Sequence, residues 1–352
     1  MVISLFLLRY RDSRGNNDNK FLSIDFRITK MMIKIKNISS LEKVINPYRL
    51  LYSPQNKLFS LDYSHTDYLS FVAAGIKDIS KTRKMVVINE ETGNISHIEE
   101  GAHLLEITSN GKLYYLKNKF PNVSDICAYN LKNSALLATI PTNLCFGYGS
   151  SCLIGGDIFK LFIAFYGSDY HPGVEGILII DVKEDGIIDQ VSLGSLPRLL
   201  LATPQKDKLF IQVRGPKLLT LDARSHNIVD SNTLDFAPFK AILDSDNLLF
   251  VVFKTGIKIL NLKHKEIIET IPIPEVCDIA PTNNRQYFVL LLQRLKPSFY
   301  VDRIALYDMK NREIVDVKYI SSGKLLTRFE DGRIFFTEVK DFRLQLNEVL
   351  ID

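Results

Sequence analysis

The stretch Ile179-Ile180-Asp181-Val182-Lys183-Glu184-Asp185-Gly186-Ile187 decides the fold. An apolar pair runs into an acid, and an apolar residue follows at the sixth place after it. The same arrangement recurs at Val87-Ile88-Asn89 with Ile95, at Ala128-Tyr129-Asn130 with Leu136, and at Ile259-Leu260-Asn261 with Ile267. It recurs again at Leu306-Tyr307-Asp308 with Ile314, and at Thr220-Leu221-Asp222 with Ile228, where Thr replaces the first apolar residue. A weaker copy ends at Asn347, so the anchors are spaced by 41, 51, 41, 39, 47 and 39 residues. A period of about 40 to 50 residues, built of short strands and tight turns, marks a β-propeller.

A second signal counts the blades. Seven polar clusters each precede a β-rich run: Ser53–Asn56, Ser109–Gly111, Gly155–Asp157, Thr203–Lys208, Asp244–Asn247, Thr282–Asn284 and Glu330–Gly332. Clusters of Asn, Gly, Pro and Asp between apolar runs are hairpin signals. Each is expected to join the innermost strand of a blade to the second strand. The Asn or Asp anchor then closes the third strand, and the run from the sixth residue forms the outermost one. The expected fold is all-β, a seven-bladed propeller of four-stranded antiparallel blades, with eight blades as the alternative because Asn37 is an eighth weak anchor.

The two ends fit a closed ring. The chain stops five residues past Asn347, which leaves the last blade without an outermost strand. Ile33–Asn37 and Lys43–Ile45 read as strands ahead of the first hairpin, so the amino-terminal segment is expected to complete the carboxy-terminal blade and remove its exposed edge. Residues 32–352 form the single propeller domain in this reading. Residues 1–31 read as a peripheral extension: Val2–Leu8 is apolar over only seven residues, too short to span a membrane and without a cleavage site. Natural translation is expected to begin at Met31 or Met32.

Composition narrows the function classes. Apolar residues at 46% supply a large core, and charged residues at 24% are ordinary for a soluble domain, which argues against disorder. The net charge of +4 is too small over 352 residues to argue for nucleic acid. Four cysteines form no CxxC pair and no Cys/His set, so neither a zinc site nor an oxidising compartment is implied. No cofactor motif is present: GxGxxG, Walker, HExxH and GxSxG patterns are all missing. The glycine-rich run Phe146–Ser151 reads as a blade turn.

Two features point to one face. Extra length falls between strands two and three, at Ser64–Lys84, Lys117–Asp125, Tyr166–Gly176 and Arg294–Asp302. Long loops on one face of a rigid scaffold form the expected binding surface, with His65, Tyr68, Phe120, Tyr170, His171, Phe299 and Tyr300 as anchors for a protein partner. The innermost strands, moreover, open on Arg49, His103, Arg198, Lys240 and Lys324, with Tyr148 and Asp278 near the equivalent places in the other two blades. A ring of cationic or potentially cationic groups at a channel mouth would focus an anionic small molecule there.

The turns Ser53-Pro54-Gln55-Asn56-Lys57-Leu58-Phe59, Ser109-Asn110-Gly111-Lys112-Leu113-Tyr114 and Thr203-Pro204-Gln205 resemble the "SPDGxxLYV" element of YVTN-type and WD-repeat-like propellers. The resemblance covers roughly residues 32–352 and implies the propeller class without a family inside it. The chain has no Trp, hence no WD dipeptide, and the WD-repeat hydrogen-bond network is not implied. Propeller lactonases share the YVTN-type scaffold, and the resemblance brings with it the alternative of a hydrolase at the channel mouth, although their motif is not matched residue by residue. The expected function is a non-catalytic binding or scaffold propeller, cytoplasmic, with neither nucleic acid nor membrane as partner.

Overall fold

The computed structural model describes residues 32–351 apart from 43–45, 65–82, 120–122, 167–173, 204, 235–239, 244–247, 254, 263, 265, 284–285, 294–300, 330 and 341–342. Seven four-stranded antiparallel sheets stand in a ring. The chain enters through β1 (Ile33–Glu42) and then builds the first blade from β2 (Asn46–Ser53), β3 (Leu58–Ser64), β4 (Arg83–Asn89) and β5 (Ile95–Glu100). The second blade is β6 (Ala102–Ile107), β7 (Lys112–Lys119), β8 (Val123–Asn130) and β9 (Ala135–Ile140). In the third are β10 (Cys145–Ile154), β11 (Lys160–Tyr166), β12 (Gly176–Asp181) and β13 (Gly186–Ser192). The fourth comprises β14 (Pro197–Ala202), β15 (Lys208–Val213), β16 (Lys217–Asp222) and β17 (Ile228–Thr233). Next come β18 (Lys240–Leu243), β19 (Leu248–Phe253), β20 (Gly256–Asn261) and β21 (Glu266–Ile271), then β22 (Val276–Pro281), β23 (Tyr287–Gln293), β24 (Val301–Asp308) and β25 (Glu313–Tyr319). The seventh blade takes β26 (Gly323–Arg328), β27 (Ile334–Lys340) and β28 (Arg343–Ile351), and its fourth strand is β1.

The seven-blade reading holds, and the eighth weak anchor is accounted for. Asn37 lies on β1 opposite Asn347 on β28, and its Nδ2 donates to Asn347 Oδ1 at 2.9 Å. The repeat also has a local cause. Apart from the weak copy at Asn347, each anchor oxygen accepts from the backbone two or three residues on: Asn89 from Glu91 and Thr92, Asn130 from Lys132, Asp181 from Lys183 and Glu184, Asp222 from Arg224 and Ser225, Asn261 from His264, Asp308 from Lys310 and Asn311. Such Asx turns reverse the chain in few residues. Four places after the anchor the backbone turns left-handed, at Gly93, Ser134, Asp185, His226 and Arg312. At the sixth place the apolar residue returns opposite the one before the anchor, as Ile187 opposite Ile180 and Ile228 opposite Leu221.

The core lies between blades. One layer joins the seventh blade to the first, with Leu50, Phe59, Leu61, Val86, Phe335 and Leu346 in contact. Others join the first to the second, second to third, third to fourth, fourth to fifth and fifth to sixth blades. A middle strand is therefore covered on both faces and reads as an unbroken apolar run, as in Leu161–Phe165, every residue of which is buried. Outermost strands lose this cover, and β17 holds only exposed and half-buried positions.

Basic residues at the start of second strands bind the next blade's anchor turn. Lys112 Nζ donates to Val182 O at 2.8 Å and to Asp185 at 3.0 Å. Lys160 Nζ reaches Ala223 O at 3.2 Å and His226 Nε2 at 2.7 Å, while His226 Nδ1 faces Asp189 Oδ2 at 2.6 Å. Across the closure, Arg333 binds Glu90 and the Tyr52 hydroxyl, and its guanidinium stacks 4.7 Å from the Tyr52 ring centre.

The length read as a long loop between Lys117 and Asp125 is mostly strand, because β7 runs to Lys119 and β8 starts at Val123. Cys127, Cys145, Cys152 and Cys277 lie on strands and are not joined in disulfides. Among the described residues, no helix is long and apolar enough to cross a membrane.

Candidate functional site in the central channel

The first strand of every blade ends its sheet, so its inner edge faces the axis. These seven strands touch their neighbours around the ring and enclose a cavity of about 900 Å³. Arg49, His103, Arg198 and Lys240 all line it, together with Asp62 and Arg83. Lys324 sits on β26, and its side chain lies outside the described residues. His65, Tyr68, Phe120, Tyr170, His171, Phe299 and Tyr300 also lie outside the described residues.

The register places the basic residues at two adjacent steps of the innermost strands. Arg49 pairs opposite Asp62, His103 opposite Leu116, Lys240 opposite Val252 and Asp278 opposite Leu291, all at the same step of their blades. Arg198 falls one step earlier, at the bulge between Pro197 and Leu199, and Lys324 at the matching bulge between Gly323 and Leu325. A bulge leaves its extra residue outside the ladder and re-aims its side chain.

Two of the cations are tied to acids in neighbouring blades. Arg49 donates to Glu106 Oε1 in the second blade at 2.5 Å and to Ser151 Oγ in the third at 2.9 Å, and Ser151 donates to Leu105 O at 2.9 Å. Lys240 pairs with Asp278 in the sixth blade and donates to Leu326 O in the seventh at 3.0 Å. Asp278 Oδ2 accepts from the Leu326 N–H at 3.2 Å, and burial raises its pKa against the pull of Lys240. One network links blades one to three; the other links five to seven. Blade four contributes Arg198 instead, exposed, with no ion pair or side-chain hydrogen bond among the described residues.

A third group is buried in the wall. Arg83 opens β4 and is fully enclosed, with Asp62 Oδ2 at 3.6 Å and His103 Nδ1 as hydrogen-bond partner. Burial pushes His103 down to about 3, aided by the adjacent Arg83 charge. The ring is therefore neutral at physiological pH and adds no charge to the mouth. Since Arg83 donates to Nδ1, the proton of His103 resides on Nε2. Asp62 is pushed up to about 6 by burial, while Arg83 and the Leu104 N–H, 3.3 Å away, pull the other way.

Sequence reasoning missed Asp62, Arg83, Glu106 and Ser151. The sequence places Arg83 in the loop Ser64–Lys84, and a charged residue entering a buried third strand is the signal that marks it. The partners lie 20 to 102 positions apart, too far for any local pattern. Among the described residues, no three His, Cys, Asp or Glu side chains are grouped to hold a metal ion. No protein-family model matches the chain, and no curated protein matches it.

Proposed function

We propose that the propeller is a binding module that takes an anionic group into the mouth of its channel, with Arg198 as the anchor. The observation that carries this reading is the difference between Arg198 and its neighbours. Arg49 and Lys240 have a carboxylate in the adjoining blade, whereas Arg198 lines the same cavity, exposed and without an acid partner among the described residues. Lys240 is partly exposed and stands on the neighbouring innermost strand, so it can add a second contact to an anion seated at Arg198. The likeness of the hairpin turns to YVTN-type and WD-repeat-like propellers supports a binding role at the level of class. The anion is a free small molecule or a group carried by a protein partner.

The competing hydrolase reading would draw a general base from the same wall. A histidine held near 3 is a weak base at neutral pH, and its Nδ1 is already engaged by Arg83. His103 is therefore not the base, and the binding reading rests on Arg198.

Thermal unfolding provides the test. Phosphate or sulfate should raise the melting temperature above that in chloride at equal ionic strength. Arg198→Ala should remove the gain, and Arg224→Ala, on the exposed turn after β16, should retain it. An equal gain in wild type and Arg198→Ala would overturn the proposal.

A further inference from the structure

We propose, resting on the reading of Arg198 as an anion anchor, that the ligand is a single-chain amphiphile. Its carboxylate or phosphate head sits at Arg198, and its octyl-length aliphatic tail runs down the channel along β14 and β18. The two ends of the cavity differ in chemistry. On β14 Arg198 is followed by Leu199, Leu200 and Leu201, and on β18 Lys240 is followed by Ala241, Ile242 and Leu243. Each of these residues lines the cavity. Leu199, Leu201, Ile242 and Leu243 are only half-buried. They stand on strands whose inner edge no sheet covers, so the apolar surface they leave open belongs to the channel. Ile279 and Pro281 on β22 continue the same wall.

Charge selects the head. Glu106 is set against Arg49, Asp278 against Lys240 and Asp62 against Arg83. Among the described residues Arg198 is the surplus cation at this end, and one surplus charge matches one anionic group. Length selects the tail. Leu201 and Leu243 lie three residues beyond Arg198 and Lys240, roughly 10 Å at about 3.3 Å per strand residue, the span of an extended octyl chain. A cavity of about 900 Å³ holds such a molecule, and small-molecule sites are concave, mainly apolar and fixed by few polar groups. At the far end Arg328 donates to Asn283 Oδ1 at 2.9 Å, so a second anionic group there would compete with that amide. Each methylene that the wall covers leaves water, which raises affinity by up to about fourfold.

Calorimetric titration of the full chain tests this with octanoate, acetate, octyl phosphate, inorganic phosphate, octanol and octanedioate, each below its micelle concentration. Octanoate should bind at least about tenfold more tightly than acetate, and octyl phosphate likewise than inorganic phosphate. Octanol should bind more weakly than octanoate for want of a charged head, and octanedioate more weakly because its other end is charged. Arg198→Ala should weaken octanoate and inorganic phosphate together. Leu201→Asn should bind inorganic phosphate like wild type but lose the gain from the octyl chain, whereas Ile188→Asn, on the outermost β13, should keep it. Circular dichroism and melting temperature establish that each variant is folded; should Leu201→Asn fail to fold, Leu243→Asn repeats the experiment. If phosphate binds at Arg198 and the octyl chain adds nothing, the tail site is overturned while the anion site stands; if no probe binds, both fall. An octyl gain that persists in Leu201→Asn and Leu243→Asn, or octanol or octanedioate binding as tightly as octanoate, would overturn the amphiphile as well.

Discussion

At the scale of single residues, the anchors act through hydrogen bonds that a propensity scale does not count. Asp222 accepts from the N–H groups of Ser225 and Arg224 and from the Ser225 hydroxyl, and these bonds, the Ser225 amide first, hold its pKa down. Replacing it by Ala should lower unfolding free energy by about 1 kcal/mol, the usual cost of losing a turn-capping side chain, measured by urea titration. The channel wall makes a pH prediction with two opposing parts. His103 has a folded pKa near 3 against 6.5 for the free ring, so the unfolded chain binds more protons between those values. Its contribution is complete above pH 6.5 and is lost as pH falls toward 3. Asp62 has a folded pKa near 6 against 3.8, so there the folded chain binds more protons, and stability from this group falls as pH rises from about 4 to 6. Replacing His103 by Asn removes the first part and leaves the second. Between pH 4 and 6 the variant should gain stability on acidification relative to wild type, read from urea midpoints at both pH values; parallel profiles would contradict the assignment.

At the scale of elements, the blade is incomplete without its neighbours. A middle strand such as β11 is apolar on both faces because a sheet covers each of them. Phe335 shows what one such contact is worth. It is fully buried at the closure, with its ring centre 4.9 Å from that of Phe59 and the rings inclined at 65° in an edge-to-face contact. Phe335→Ala should cost about 3 to 5 kcal/mol by the usual cost of emptying a packed aromatic site. Calorimetry should show one transition at lower temperature, because the damaged layer belongs to the first and last blades at once. The Arg333 cluster with Glu90 and Tyr52 is partly exposed, so it orients the closure more than it stabilises it.

At the scale of the whole molecule, closure depends on ten residues at the amino end of the propeller. β1 pairs with β28 from Ile33 opposite Ile351 to Glu42 opposite Arg343, with one register shift between Asn37 and Ser39. The Ile33 N–H also donates to Asp316 Oδ2 of the sixth blade at 2.8 Å. A chain beginning at Asn46 should lose this strand, expose the edge of β28 and aggregate, visible as early elution in gel filtration. Recovery on adding a peptide of residues 33–42 would support the same mechanism from the other side. Closure also brings Arg49 to Ser151, which no adjacent pair of blades could do alone.

What the chain determines by itself is the repeat: anchors such as Asp181 and Asp222 act over three residues, so their chemistry is visible in order along the sequence. The hairpin clusters, the number of blades and the use of Ile33–Asn37 to complete the last one follow from the same local signals. Which basic residues keep a free charge is decided elsewhere. Arg49, Arg198 and Lys240 look alike in sequence, each opening an innermost strand. Glu106 and Asp278 reach two of them only because the ring sets one blade against the next, and the bulge at Arg198 depends on its pairing with β15. His103 is silenced by burial, aided by Arg83, a residue 20 positions away on another strand. Charge is a property of the residue, but its availability depends on burial and on partners that only the closed ring brings within reach.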